Sequence, residues 1–194
     1  MTINHNACLV AVLFGTVLQF FQTPPVMSNS MNNILIRDVV ASDYAEIVAI
    51  NAAEVQHTSE MDEARLAALD GFSSYHKVVE VEGKVAAFLL AMDQSSAYEN
   101  DNFDWFAAQY KRFLYIDRVV VNAAFAGMSL GTKLYQDIFE YARQHDIGVV
   151  CCEYNVIPEN KPSAAFHDKQ GFEEVGTQWL NNKSKKVSLQ AAKL

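Results

Sequence analysis

Cysteine is scarce in this 194-residue chain, which carries three: Cys8, Cys151 and Cys152. Adjacent residues on a strand face opposite ways, so Cys151 and Cys152 cannot easily bridge one another. The three read as small buried hydrophobes of a reducing, cytoplasmic compartment, and no local signature marks a catalytic thiol. No second Cys or His stands at zinc-ligand spacing, so no metal is expected. Positive charge is also short. Fifteen Lys and Arg against 23 Asp and Glu leave a net charge of −8. A general nucleic-acid binder is normally basic, and none is expected as a partner here. Long apolar runs are missing too. Residues 8–21, CLVAVLFGTVLQFF, fall short of the about 20 residues a membrane-spanning helix needs. No Lys or Arg precedes Arg37, so the basic start of a signal peptide is absent. Two ready-made phosphate motifs are excluded as well. A Walker loop needs four residues between its glycines, then Lys and Ser or Thr; here three separate Gly127 from Gly131 and Thr132-Lys133 follow in reverse. The dinucleotide fingerprint needs three glycines in another rhythm.

What is present is a strand, a glycine-bearing turn and a long amphipathic helix at 118–145, RVVVNAAFAGMSLGTKLYQDIFEYARQH. The strand is the β-branched run Val119-Val120-Val121 after Arg118. The helix carries Leu130, Leu134, Ile138 and Ala142 on one stripe. That order aims backbone N–H groups and a positive helix end at one point, which suits phosphate. Gly127 and Gly131 mark places where a Cβ would obstruct a ligand or a tight turn. An ordinary strand-to-helix turn is the alternative from this segment alone.

The rest of the chain reads as one domain over 33–194. Residues 1–32 read as a leader or extension outside the fold, with Met27 and Met31 as alternative starts; a weak signal or an anchor remain the other readings. Ile34–Val40 is a strand. Ser42 is a candidate N-cap, with Glu46 close behind. The helix after it runs to about Val55. A second helix covers 62–69 and ends at Gly71. Lys77–Val81 and Lys84–Met92 form a hairpin around Glu82-Gly83. Residues 93–111 interrupt the pattern before a strand at 113–121. After the long helix come a strand at 148–156, a helix at 163–170, and closing strands at 172–176 and 186–191. Hairpins beside a strand–helix–strand crossover imply an α/β fold of mixed type: a mixed, mostly antiparallel sheet with helices on both faces.

Two stretches carry a resemblance to a known family. Val119–Leu134 is similar to the pyrophosphate loop of the GNAT-type N-acetyltransferases. Asn160-Lys161-Pro162-Ser163-Ala164-Ala165-Phe166-His167-Asp168-Lys169-Gln170-Gly171-Phe172 is similar to that family's later motif. The resemblance runs from about Ile34 to Leu189. Ala126 stands where the family usually has a basic or amide side chain, and Ser129 replaces the central glycine. Backbone donors remain, and an anion cradle needs N–H groups more than a side chain.

The resemblance implies acetyl transfer from acetyl-CoA to a primary amine by direct attack in a ternary complex. The acceptor would be a small molecule or a peptide, and a homodimer is left open. A non-catalytic acyl-CoA-binding or regulatory domain is the alternative. The resemblance implies cofactor contacts at Val119, Val120, Val121, Ala126, Gly127, Met128, Ser129, Leu130, Gly131, Thr132, Asn155, Asn160 and Phe166. His167 aligns with the family's catalytic Tyr. Glu153 and Asp117 each lie in an apolar strand, where a carboxylate needs a partner or a task. Either is placed to take the amine's proton, directly or through water; a structural ion pair is the other reading. Acceptor contacts are expected from Glu54 and His57 on one side. From the 93–111 insert, Tyr98 and Trp105 supply aromatic surface beside carboxylates, suited to a cationic amine. An amphipathic helix covering the sheet edge is the plainer reading of that insert.

Overall fold

The computed structural model describes residues 33–54 and 58–194. The expected leader at 1–32, the first cysteine and His57 lie outside the described residues. Seven strands and five helices follow in the order β1 (Ile34–Asp38), α1 (Tyr44–Ala53), α2 (Glu63–Phe72), β2 (Tyr75–Val81), β3 (Lys84–Asp93), α3 (Asp101–Gln109), β4 (Leu114–Val121), α4 (Leu130–Gln144), β5 (Val149–Ile157), α5 (Lys161–Lys169), β6 (Glu173–Leu180) and β7 (Lys185–Lys193). One sheet holds all seven strands in the order β1-β2-β3-β4-β5-β7-β6. Every neighbouring pair is antiparallel except β4 with β5, which the α4 crossover makes parallel.

The sheet separates two cores. Alternate side chains of β3 and β4 feed each side. Phe88, Leu90, Tyr115 and Val120 pack under α1, α2 and α3 with Ile47, Leu66 and Phe106. Leu89, Leu114 and Ile116 pack under α4 with Leu134, Ile138 and Ala142. The central strand β3 is buried along nearly all its length, which is why Val85–Met92 reads as an unbroken apolar run.

Two local expectations fail for traceable reasons. Ser42 does not cap the first helix. Ala41–Asp43 forms a 3-10 turn, and the Asp43 carboxylate accepts from the Val40 N–H at 2.9 Å while its oxygens take both Arg37 guanidinium nitrogens, at 2.7 and 2.9 Å. The turn is thus tied to β1. Gly71 does not end α2, which continues to Phe72; the Ser73 hydroxyl closes it on the Asp70 carbonyl.

Candidate active site

Only Leu114 with Val150 and Tyr115 with Cys151 pair between β4 and β5. Past these two rungs β4 stays with β3 as far as Val121, and β5 stays with β7 as far as Ile157. The two strands therefore part, and the edge of β4 from Ile116 to Val121 faces no strand. Two hollows occupy the opening. The first, about 390 Å³, is floored by Glu153, Asp117 and Cys152 and walled by Tyr98, Asn102 and Tyr154. The second, about 360 Å³, is lined by Val119, Val120, Val121, Gly131, Pro162 and Phe166. Thr58, Val119, Asn160, Ser163 and His167 border both.

The second hollow leads to the turn before α4. Asn122 caps a short 3-10 turn by accepting from the Ala124 N–H at 3.0 Å. Gly127 then takes φ +82°, and a Cβ built there meets nothing within 4 Å. Ser129 takes φ +57° and starts α4 without side-chain capping. Two positive-φ residues one apart bend the backbone around a concave point at the N-terminus of a 15-residue helix. The first-turn N–H groups have no intrahelical acceptors, and the helix end is positive, so the concavity suits an anion. Side chains contribute little: Ala126 and Gly127 are exposed, Met128 is half-buried and Leu130 is buried in the core. The Thr132 hydroxyl accepts from Gln170 at 3.4 Å. Gly131 serves packing, because a Cβ there would come within 3.3 Å of the Phe166 ring.

In the first hollow, Tyr115 donates to Glu153 Oε1 at 3.1 Å. Glu153 Oε2 is inaccessible to solvent and has no hydrogen-bond partner among the described residues. Loss of hydration and the nearby Asp117 charge push the Glu153 carboxyl up to about 7, against the pull of the Tyr115 hydroxyl. Asp117 is held differently. It accepts from Tyr98 at 2.5 Å and pairs with Arg118 at 2.8 Å. Arg118 in turn donates to Asn51 at 3.2 Å and Ser59 at 3.1 Å. That pair ties α1 and the following loop to β4. Of the two carboxylates, Asp117 is committed to a cation and Glu153 is not.

His167 is buried, with Nδ1 2.8 Å from the Ser163 carbonyl and Nε2 2.7 Å from the Tyr135 hydroxyl. The carbonyl only accepts, so Nδ1 carries the proton and Nε2 accepts from Tyr135. Burial lowers the imidazole's proton affinity, which keeps the ring neutral. Asn160 caps α5 by accepting from the Ser163 N–H at 3.1 Å, and Asn155 lines the first hollow. Phe166 stands edge-on to Tyr135, ring centres 4.9 Å apart.

Glu54 borders the second hollow, not the first. Trp105 lines neither; its ring covers Gly176 on β6, where a Cβ would lie 2.7 Å from it. Tyr115, Tyr135 and Tyr154 belong to the site and are not singled out by sequence. Each reads as an ordinary core aromatic, because its polar partner lies far away in the chain. Cys151 and Cys152 are free and buried, and burial raises both thiols. Among the described residues, no group of three or more His, Cys, Asp or Glu is placed to hold a metal ion. Nor is any helix among them long and apolar enough to cross a membrane.

Residues 41–172 match the acetyltransferase (GNAT) family. The chain belongs to that family, whose members are acetyl-CoA-dependent acyltransferases. Solved structures share the fold at low sequence identity. Ard1 from Thermoplasma volcanium is 16% identical with a TM-score of 0.69, over 83% of this chain and 97% of that one. The Escherichia coli ribosomal-protein-S18-alanine N-acetyltransferase is 13% identical with a TM-score of 0.63, over 82% and 93%. The Salmonella typhimurium protein yncA, solved with its cofactor acetyl-CoA, is 22% identical with a TM-score of 0.63, over 84% and 94%. No curated protein matches the chain in sequence.

Proposed function

We propose that this protein moves an acetyl group from acetyl-CoA to a primary amine by direct attack, with both substrates bound at once. The observation that carries this reading is the unpaired edge of β4, whose Val119 borders both hollows, with the uncommitted carboxylate of Glu153 in the first. Acetyl-CoA supplies an acetyl thioester. The Gly127–Thr132 backbone and the start of α4 hold its pyrophosphate. The outward N–H and C=O groups of Val119–Val121 hold its arm as a further strand would, and an N–H on that edge polarises the thioester carbonyl.

Glu153 takes the proton that the amine loses as its nitrogen bonds to the acetyl carbon. A group that titrates at about 7 is half ionised at neutral pH, and an oxygen without a partner is free to accept. The carbon–sulfur bond breaks as the new bond completes, and the thiolate leaves. A thiol titrating near about 8.5 departs without an obligatory acid. Both nitrogens of His167 are engaged, so it serves as a positioning residue that locks α5 onto α4. Asp117 likewise fixes Arg118. The two substrates are thereby held in one place rather than meeting by diffusion.

Release of free thiol from acetyl-CoA in the presence of an amine panel tests the reading. Amine-dependent release is expected. Tight acetyl-CoA binding with no release on any amine would overturn it in favour of an acyl-CoA-binding domain.

A further inference from the structure

The first hollow contains two cations without counter-ions. Its wall carries Arg65 on α2, Arg118 on β4 and Lys185 on β7. Arg118 is spent on Asp117. Arg65 and Lys185 make no ion pair among the described residues, although the whole chain carries a net charge of −8. Both are felt inside the cleft: Arg65 acts on the Tyr98 hydroxyl and Lys185 on Glu153. The acids on the same wall do not cancel them. Asp117 is paired with Arg118, Glu99 makes no ion pair with either cation, and Glu153 is half-buried with its neutral form favoured. The acidic positions Asp101 and Asp104 of α3 do not line the cleft, so the insert does not make this a site for a polycation.

Resting on the acetyl-transfer reading, we propose that the acceptor is an amine that carries a carboxylate a few bonds away, an amino-acid-like molecule whose carboxylate is held by Arg65 and Lys185 while its amine faces Glu153. A hollow of about 390 Å³ suits a small solute better than a folded protein surface. The guanidinium fork of Arg65 matches a carboxylate with two parallel donors, and Lys185 adds a point charge. The same chemistry is offered by a free amino acid and by a peptide that begins with Asp or Glu.

The experiment compares the common amino acids with their amides, with putrescine, and with peptides beginning with Asp, Glu or Ala. Thiol release is one readout. Calorimetric binding in the presence of CoA is the other. Amino acids or acid-first peptides are expected to exceed their uncharged counterparts by at least about tenfold in kcat/KM; which of the two leads names the source. In Arg65→Gln and in Lys185→Gln that ratio is expected to fall several-fold, and in the double variant to approach one. Equal use of amides, or a preference for putrescine, overturns the proposal while acetyl transfer stands. Selective binding of amino acids without thiol release keeps the carboxylate subsite and overturns acetyl transfer. Absence of both binding and turnover for every carboxylate-bearing probe overturns the proposal.

Discussion

Tyr115 donates its hydroxyl hydrogen to one oxygen of Glu153, and the other oxygen of that carboxylate has no partner among the described residues. The two residues sit on β4 and β5, neighbouring strands that part after two rungs, 38 positions apart in the chain. The bonded oxygen is oriented and the second is available.

Glu153→Gln keeps the shape and removes the proposed base. Turnover is expected to fall by roughly 10²–10⁴-fold, with acetyl-CoA affinity unchanged. In the parent, activity rises with pH through about 7 as the carboxyl ionises; the variant lacks that limb. A rate-against-pH profile checks both, and a surviving limb near 7 would assign it to another group.

The same carboxyl makes stability depend on pH. Unfolded, it loses its proton near the ordinary 4.5; folded, it keeps it until about 7. Unfolding between these values releases a proton, so stability falls as pH rises across that window and levels off above it. The difference is roughly 3 kcal/mol. Glu153→Gln is expected to melt at a higher temperature than the parent at pH 8 and to lose the advantage at pH 4.5. Thermal melts at both values decide it.

Tyr115→Phe removes a hydrogen bond that favours the charged carboxylate. The midpoint of the rate profile is expected to move above 7, and activity at neutral pH to fall several-fold while activity at pH 9 recovers. An unmoved midpoint would show that Tyr115 only fills space.

His167→Phe strands the buried Tyr135 hydroxyl without an acceptor, at a cost of about 1–3 kcal/mol. Melting is expected to drop by several degrees, with a smaller than tenfold change in turnover below the transition. Unchanged melting together with a hundredfold loss of turnover would instead make His167 the proton donor at the sulfur.

Ser129 occupies left-handed backbone, where a side chain costs about 1–2 kcal/mol that glycine does not. Ser129→Gly is expected to raise stability by roughly 1 kcal/mol and to leave the turn before α4 competent for acetyl-CoA. A lowered melting temperature would mean that the hydroxyl makes a contact worth more than the strain.

The sheet and its crossover were legible because they rest on single-face periodicities. Leu134, Ile138 and Ala142 lie under one side of the sheet as their spacing implies. The turn at 127–131 was legible through its glycines, and Gly131 also makes room for the Phe166 ring. What could not be read depends on partners distant in the chain. Ser42 falls inside a 3-10 turn whose Asp43 carboxylate is held by Arg37, six positions back. Asp117 and Glu153 look alike in sequence, and Arg118 beside the first and Tyr115 above the second give them different tasks. Tyr135 matters through His167, 32 residues on. Trp105, an expected acceptor contact, is spent on Gly176.

Asp93 and Leu114, the last residue of β3 and the first of β4, are paired rungs of one ladder. Everything between them leaves and re-enters the sheet at neighbouring positions. α3 nevertheless reaches the outermost strand, through Trp105 over Gly176 and Gln178 donating to Asn102 at 3.3 Å. The segment is therefore a bridge thrown across the gap between β4 and β5, built as the loop of a hairpin. Its length can change without shifting the register of β3 against β4. Its first residues are not free in the same way, because Tyr98 holds Asp117 of β4 at the cleft.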